Sequence, residues 1–377
     1  MERFALSRMK EWKENENRKP LIIRGARQVG KTWIMKTFGQ QYFEKTAYVN
    51  FDNNARMKQV FEGDLDIERL VLSISAETGV SIEAENTLII FDEVQEVPKA
   101  LTSLKYFYEN APQYAIVAAE SLLGVALHQG TSFPVGKVDF LDLYPLNFRE
   151  FLCAMGEKQF VSMLDSCDTQ MVTVFKTKYI ERLREYYFVG GMPEVVKDFS
   201  EKKDYNRVRA IQKNLINYYQ QDFSKHAEIK LVPRLNLVWN SIPMQLAKEN
   251  KKYIYGQVRE GSRAKDFELA IQWLLDCGLI YKVQRIQKPD LPLKAYIDFD
   301  AFKLFLVDIG LLIAMTDLDA KVIIEGNKIF TEFKGALTEQ YILQQLISDV
   351  GVIPYYYSTQ NSKGEIDFLV QGKTSVI

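Results

Sequence analysis

Short apolar runs alternate with segments of helical period through the first 150 residues. The runs at 20–24, 45–50, 87–92, 114–119 and 137–143 read as strands buried on both faces of a parallel sheet. Between them, 31–40, 66–78 and 98–110 have the spacing of helices, and Pro98 suits a first helical turn. Residues 3–15 predict an amphipathic lead-in helix with Phe4, Leu6, Met9 and Trp12 on roughly one side. This alternation predicts an α/β fold with a mostly parallel sheet between layers of helices.

From about residue 147 the strand signals stop. Residues 147–222 are charged and helical in period, broken by Gly190-Gly191-Met192-Pro193. Residues 227–320 read as a small mixed domain, with helices at 234–249 and 263–277 and strands at 279–286 and 293–299 joined by a turn from Pro289 to Pro292. Two helices followed by a two-stranded ribbon outline a winged helix. A further amphipathic helix is expected at 335–350, and strands at 352–357 and 365–370. No internal repeat or low-complexity tract interrupts the chain.

The first candidate chemistry lies between the run at 20–24 and the helix at 31–40. Residues 25–32 read Gly25-Ala26-Arg27-Gln28-Val29-Gly30-Lys31-Thr32, the full phosphate-loop pattern. A strand feeding a glycine-rich turn into a helix N-terminus aims backbone N–H groups and the helix dipole at one point. Lys31 can reach the β- and γ-phosphates, and the Thr32 hydroxyl can sit on Mg²⁺. With Trp33 at the start of the helix, residues 25–33 form the expected nucleotide-binding segment. The competing reading is a strand–turn–helix with no ligand, but the pattern arises by chance in a chain of this length only about once in a hundred.

The second is Thr87-Leu88-Ile89-Ile90-Phe91-Asp92-Glu93, an apolar strand ending in two acids. The C-terminal ends of strands face the ligand in such sheets. Asp92 is expected to hold Mg²⁺, directly or through water, and Glu93 to polarise the attacking water as general base. Asp-Glu alone often just opens a loop; its position about 60 residues after a phosphate loop gives the pair its meaning.

Composition narrows the remaining classes. The chain has 377 residues, 47% of them apolar, so it can build two to four cores without disulfides. With 48 basic and 49 acidic residues, the formal charge of −1 argues against a dedicated, strongly basic nucleic-acid binder, though not against a local basic patch. Cys153, Cys167 and Cys277 are widely spaced and form no metal pattern, which fits a reduced setting. Two histidines, His128 and His226, are too few for a multi-histidine metal centre. The N-terminus carries no apolar signal region, and the apolar stretch 301–315 is short and broken by Lys303 and Asp308. A soluble, cytoplasmic protein without membrane contact is expected.

Taken together, these features resemble bacterial and archaeal AAA-type ATPases carrying the domain of unknown function DUF4143 at the C-terminus. The resemblance covers nearly the whole chain. Its marks are Arg24 to Thr32, Phe91-Asp92-Glu93-Val94-Gln95, Leu143-Tyr144-Pro145-Leu146-Asn147-Phe148-Arg149-Glu150-Phe151, Gly190-Gly191-Met192-Pro193, and Gln221-Asp222-Phe223-Ser224-Lys225-His226. It implies a phosphate-loop ATPase core at 1–150, a helical lid at 151–226, a winged-helix domain at 227–320, and a truncated restriction-endonuclease-like α+β segment at 321–377. It also implies that Ser121 is the polar sensor of the γ-phosphate, although a helix N-cap is the alternative reading of that serine. Gly191 and Pro193 would lie against the adenine; the plainer reading is a helix break with proline opening the next helix.

The sequence departs from the family pattern twice. Glu120 stands before Ser121, where the family usually has glycine, and a carboxylate aimed at a γ-phosphate would repel it. In the last segment, Glu339 and Asp367 match the first acids of the nuclease-like metal site, but the following Glu-x-Lys strand is cut short at Ser375-Val376-Ile377. Two acids make a poor Mg²⁺ centre, so no nuclease activity is expected. Arg27 and Arg149 are candidate arginine fingers, with a surface or structural charge as the plainer reading of each.

The leading functional expectation is an ATP-binding and ATP-hydrolysing molecular switch, with ATP and Mg²⁺ held between core and lid, an unidentified protein partner, and an oligomer as one compatible assembly. The alternative is an ATP-regulated DNA-binding module using Arg259, Arg263 and Lys265 near the second helix of the winged helix. A phosphotransferase is disfavoured because a water-activating acid favours hydrolysis. No guanine-reading Asn-Lys-x-Asp run is present, so ATP is preferred over GTP.

Overall fold

The computed structural model describes residues 2–120, 134–248, 251–325, 331–359, 364–373 and 375–377. The chain divides into two compact units, one comprising Arg3–Tyr144 and the other the C-terminal remainder with the first two residues.

The N-terminal unit is built on five parallel strands, β1 (Leu21–Arg24), β2 (Lys45–Asn50), β3 (Thr87–Asp92), β4 (Ala115–Glu120) and β5 (Asp139–Asp142), in the order β2-β3-β4-β1-β5. Parallel neighbours need crossovers, and the helices Lys31–Tyr42, Ile67–Thr78 and Pro98–Asn110 lie in those from β1 to β2, β2 to β3 and β3 to β4. Their ends follow local chemistry. Gly30, left-handed at φ 94°, opens the first helix. The Asp66 carboxylate accepts the Arg69 N–H to cap the second, and Gly79 ends it with φ 68°. Every residue of β3 is buried. Around it Phe51, Phe61, Phe91 and Phe107 meet edge to face at 5.3–6.5 Å. Burying each such ring contributes roughly 1.5–3 kcal/mol, which fixes the strand that ends in Asp92. A helix not foreseen in the sequence, Ala55–Glu62, is capped by the Asn54 side chain, which accepts the Met57 N–H.

The C-terminal unit opens with six helices between Phe148 and His226. The helices Val232–Leu246 and Ala264–Asp276 and strands β6 (Ile280–Ile286) and β7 (Ile297–Leu306) follow. A 3-10 turn at Leu293–Tyr296 delays β7 past the expected 293–299. β6 pairs antiparallel with β7 and parallel with β8 (Tyr355–Ser358), which pairs antiparallel with β9 (Glu365–Leu369). The sheet β7-β6-β8-β9 thus draws strands from both sides of residue 320. The apolar stretch 301–315 forms the buried end of β7 and the buried helix Ile309–Met315. Among the described residues, no helix is long and apolar enough to cross a membrane. Cys153, Cys167 and Cys277 form no disulfide among the described residues.

Candidate functional site

β1 delivers the chain into residues 25–30, and the helix Lys31–Tyr42 leaves from them. Gly25 is required by close approach: a Cβ there would stand 2.2 Å from the Leu143 carbonyl oxygen. Ala26 and Val29 are buried, Arg27 is half-buried, and Gln28 is exposed with φ 65°. Buried Arg3, just ahead of the helix Ala5–Glu14, donates to the carbonyl oxygens of Val29 at 3.1 Å and Tyr144 at 2.6 Å. It braces the loop from a position the sequence did not mark.

Lys31 is 7% exposed, and its ammonium donates to the Gly25 and Ala26 carbonyl oxygens, both at 2.8 Å. The loop therefore curls around its own cation at the head of a helix. Next along, the Thr32 hydroxyl donates to Asp92 Oδ2 at 2.7 Å, joining the phosphate-loop pattern to the end of β3. The same oxygen accepts the Tyr48 hydroxyl at 2.9 Å, while Oδ1 accepts the Glu93 backbone N–H at 3.1 Å. Asp92 is 3% exposed. Burial first, then the Asp92 charge, raises the Tyr48 phenol well above its ordinary value and keeps it a donor.

Glu93 sits beyond the strand end with φ 53° and ψ 44°, and opens the 3-10 turn Val94–Glu96. Gln95 in that turn donates its amide to Glu93 Oε2. The Gln95 Oε1 is buried without a hydrogen-bond partner among the described residues. Trp33 lies exposed at the start of the helix. Glu120 closes β4 opposite Arg24 in register, and Ser121 lies outside the described residues.

The remaining expected site residues belong to the C-terminal unit. Gly191 accepts the Leu146 N–H at 2.7 Å and donates its own N–H to Asp308 Oδ2 at 2.6 Å. A Cβ on Gly191 would stand 2.1 Å from the Leu146 oxygen, and one on Gly190, at φ 74°, 2.2 Å from Asp308 Oδ1. The Leu146 backbone leaves no room for a side chain at Gly191, and Asp308 leaves none at Gly190. Pro193 is the first residue of the helix Pro193–Lys202, where its missing N–H costs nothing. Asp308 is fully buried and also accepts from the Leu311 N–H and the Gln344 amide. Burial pushes its carboxyl up to about 6 despite these bonds.

Glu339 and Asp367 do come together, but around ammonium groups. Buried Lys303 lies 3.2 Å from Glu339 Oε2, 2.6 Å from Glu365 Oε1 and 3.4 Å from Asp367 Oδ1, and Lys251 pairs with the other Glu339 oxygen. Burial alone would lower the Lys303 ammonium; the three carboxylates outweigh it and raise the group. Arg149 pairs with Asp165 and, at 3.0 Å, with Asp349 within its own unit. Arg259, Arg263 and Lys265 are exposed near the start of the helix Ala264–Asp276.

A five-stranded parallel sheet with a glycine loop, Lys31-Thr32 and the acidic end of β3 defines a phosphate-loop nucleotide-binding core. Comparison with known families gives the particular group. Residues 17–152 match the AAA domain, 180–322 a domain of unknown function (DUF8612), and 334–377 the domain of unknown function DUF4143. The chain is an AAA-type protein with a C-terminal DUF4143 region. Among solved structures it is similar to a Walker-type ATPase of Pyrococcus abyssi, with 15% identity, 84% of this chain and 95% of that chain covered, and a TM-score of 0.51. Weaker likenesses include the Aeropyrum pernix ORC1 protein in complex with DNA (12% identity, 83% and 91% covered, TM-score 0.29) and the Thermotoga maritima RuvB Holliday junction branch migration motor (10%, 74% and 87%, 0.33). No curated protein matches the sequence.

Proposed function

We propose that this chain binds ATP at residues 25–33 and hydrolyses it to ADP and phosphate, acting as a molecular switch. The observation that carries the reading is the 2.7 Å contact between Thr32 and Asp92, which joins the loop and the end of β3 at one point. The donor set fits the ligand. A loop of backbone N–H groups at a helix N-terminus suits a phosphate chain. Lys31, held by two carbonyl oxygens, is a cation that a phosphate can draw away from them. Thr32 and Asp92 offer the hard oxygen ligands that Mg²⁺ prefers. When bound there, Mg²⁺ would neutralise phosphate charge and orient the terminal phosphoryl group.

The protein's own part is positioning and proton handling. Residues 25–30 and Lys31 bind and orient the phosphates. Thr32 donates a hydrogen bond to Asp92 and keeps its oxygen lone pairs for a cation. Glu93, set apart from the strand by its left-handed backbone, accepts a proton from the attacking water, and Gln95 aims its carboxylate. Ser121 completes the set as the γ-phosphate sensor.

Phosphate release without an added acceptor tests the reaction class. Glu93→Gln should retain Mg·ATP affinity and lose turnover by roughly 10²–10⁴-fold. Turnover at the parental rate would remove Glu93 as the base.

A second reading, ATP-regulated DNA contact, draws support from the exposed Arg259, Arg263 and Lys265. It predicts salt-dependent duplex binding that weakens on Arg263→Ala. Absence of duplex binding at low salt would remove it.

A further inference from the structure

Asp92 is held by more than the nucleotide reading requires. An ionised carboxylate offers about four acceptor positions, and three are filled by protein donors: Thr32 and Tyr48 on Oδ2, and the Glu93 N–H on Oδ1. Tyr48 differs from the other two. It comes from the neighbouring strand β2, and it belongs to no phosphate-loop or acidic-strand motif. Its ring is held in turn by the Lys36 ammonium, 3.7 Å from the ring centroid. The path Lys36–Tyr48–Asp92–Thr32 thus begins and ends on the helix Lys31–Tyr42, crossing β2 and the end of β3 on the way.

We infer that Tyr48 is a positioning residue for cation loading: its hydroxyl fixes the orientation of the Asp92 carboxylate and so sets the Mg²⁺ concentration at which nucleotide binds. The inference rests on the reading that Asp92 serves a nucleotide-associated Mg²⁺. Thr32 has two tasks, toward Asp92 and toward the cation, and the Glu93 N–H anchors only Oδ1. Tyr48 gives its one hydroxyl hydrogen to Oδ2, while its oxygen accepts from the Asn50 side chain. Partners that orient a metal-holding carboxylate commonly change metal affinity by 10–100-fold when removed.

The test is Tyr48→Phe, which keeps the ring and its contact with Lys36 and removes only the hydroxyl. ATP binding is measured by calorimetry across a Mg²⁺ titration, and thermal unfolding is followed in EDTA. The expected result is a roughly tenfold higher Mg²⁺ requirement. ATP affinity at saturating Mg²⁺ should stay within about twofold, with an unfolding midpoint close to the parent's. An unchanged or lower Mg²⁺ requirement overturns the inference, as does an equal loss of affinity at all Mg²⁺ concentrations. If the unsubstituted protein binds no Mg·ATP, the nucleotide reading fails and takes this inference with it. Binding by the parent with an unmoved requirement in Tyr48→Phe overturns the inference alone.

Discussion

The Gln95 side-chain amide donates to the Glu93 carboxylate two residues away, within one 3-10 turn at the end of β3. The contact holds the proposed base at a single carboxylate oxygen. Gln95→Ala should therefore lower kcat about tenfold while leaving ATP affinity within about twofold, since orientation of a base acts on the chemical step. Steady-state phosphate release and nucleotide calorimetry check this split. A loss of affinity without a loss of kcat would place Gln95 in binding instead.

Asp308 gives a pH dependence with a definite sign. Its folded carboxyl titrates near 6, above the ordinary aspartate value of about 4. Between those values the folded state holds more protons than the unfolded one. The contribution of this group is thus fully present below about pH 4 and falls as pH rises to about 6, by roughly 3 kcal/mol. Other carboxylates act in the opposite direction, so the measurement is a difference. Urea unfolding of the parent and of Asp308→Asn from pH 4 to 7 should show the parent's relative stability falling across that window. At pH 7 the variant should still be the less stable, because an amide N–H₂ would face the donors of Gly191 or Leu311.

Lys303 supplies the positive charge at the centre of three carboxylates while itself only 1% exposed. Lys303→Met should lower the stability of the protein by about 3–5 kcal/mol, since it strands the buried Glu339 with Lys251 alone. Urea unfolding at pH 7 checks this. A neutral or stabilising effect would mean that the cluster's desolvation cost exceeds its attraction.

The strands of the core were legible because a doubly covered parallel sheet demands continuous apolar runs, and β2 and β3 fall at 45–50 and 87–92 as their pattern predicts. The helix Ala55–Glu62 was not, because it is only about two turns long and its signal is the Asn54 cap with three apolar residues, Met57, Val60 and Phe61. The β7 boundary moved because a 3-10 turn has no hydrophobic period. Within the candidate site, Lys31, Thr32, Asp92 and Glu93 could be read because their spacing along the chain is itself the signal. Arg3 and Tyr48 could not, because their partners are fixed only by tertiary structure; Gln95 stood in the run Phe91 to Gln95, but its bond to Glu93 follows from the left-handed backbone at Glu93. Lys303 and Asp308 stood out in the sequence merely as charges breaking an apolar stretch. Charges placed there are buried on folding and must find partners, and that expectation would have pointed to both networks.

Calorimetric titration of the intact protein with Mg·ATP, beside Lys31→Ala, tests the central claim most directly. The parent should bind in the micromolar range only when Mg²⁺ is present, and Lys31→Ala should give no measurable heat of binding. No heat from the parent, or equal affinity in the two proteins, would contradict the assignment of residues 25–33 as the nucleotide site.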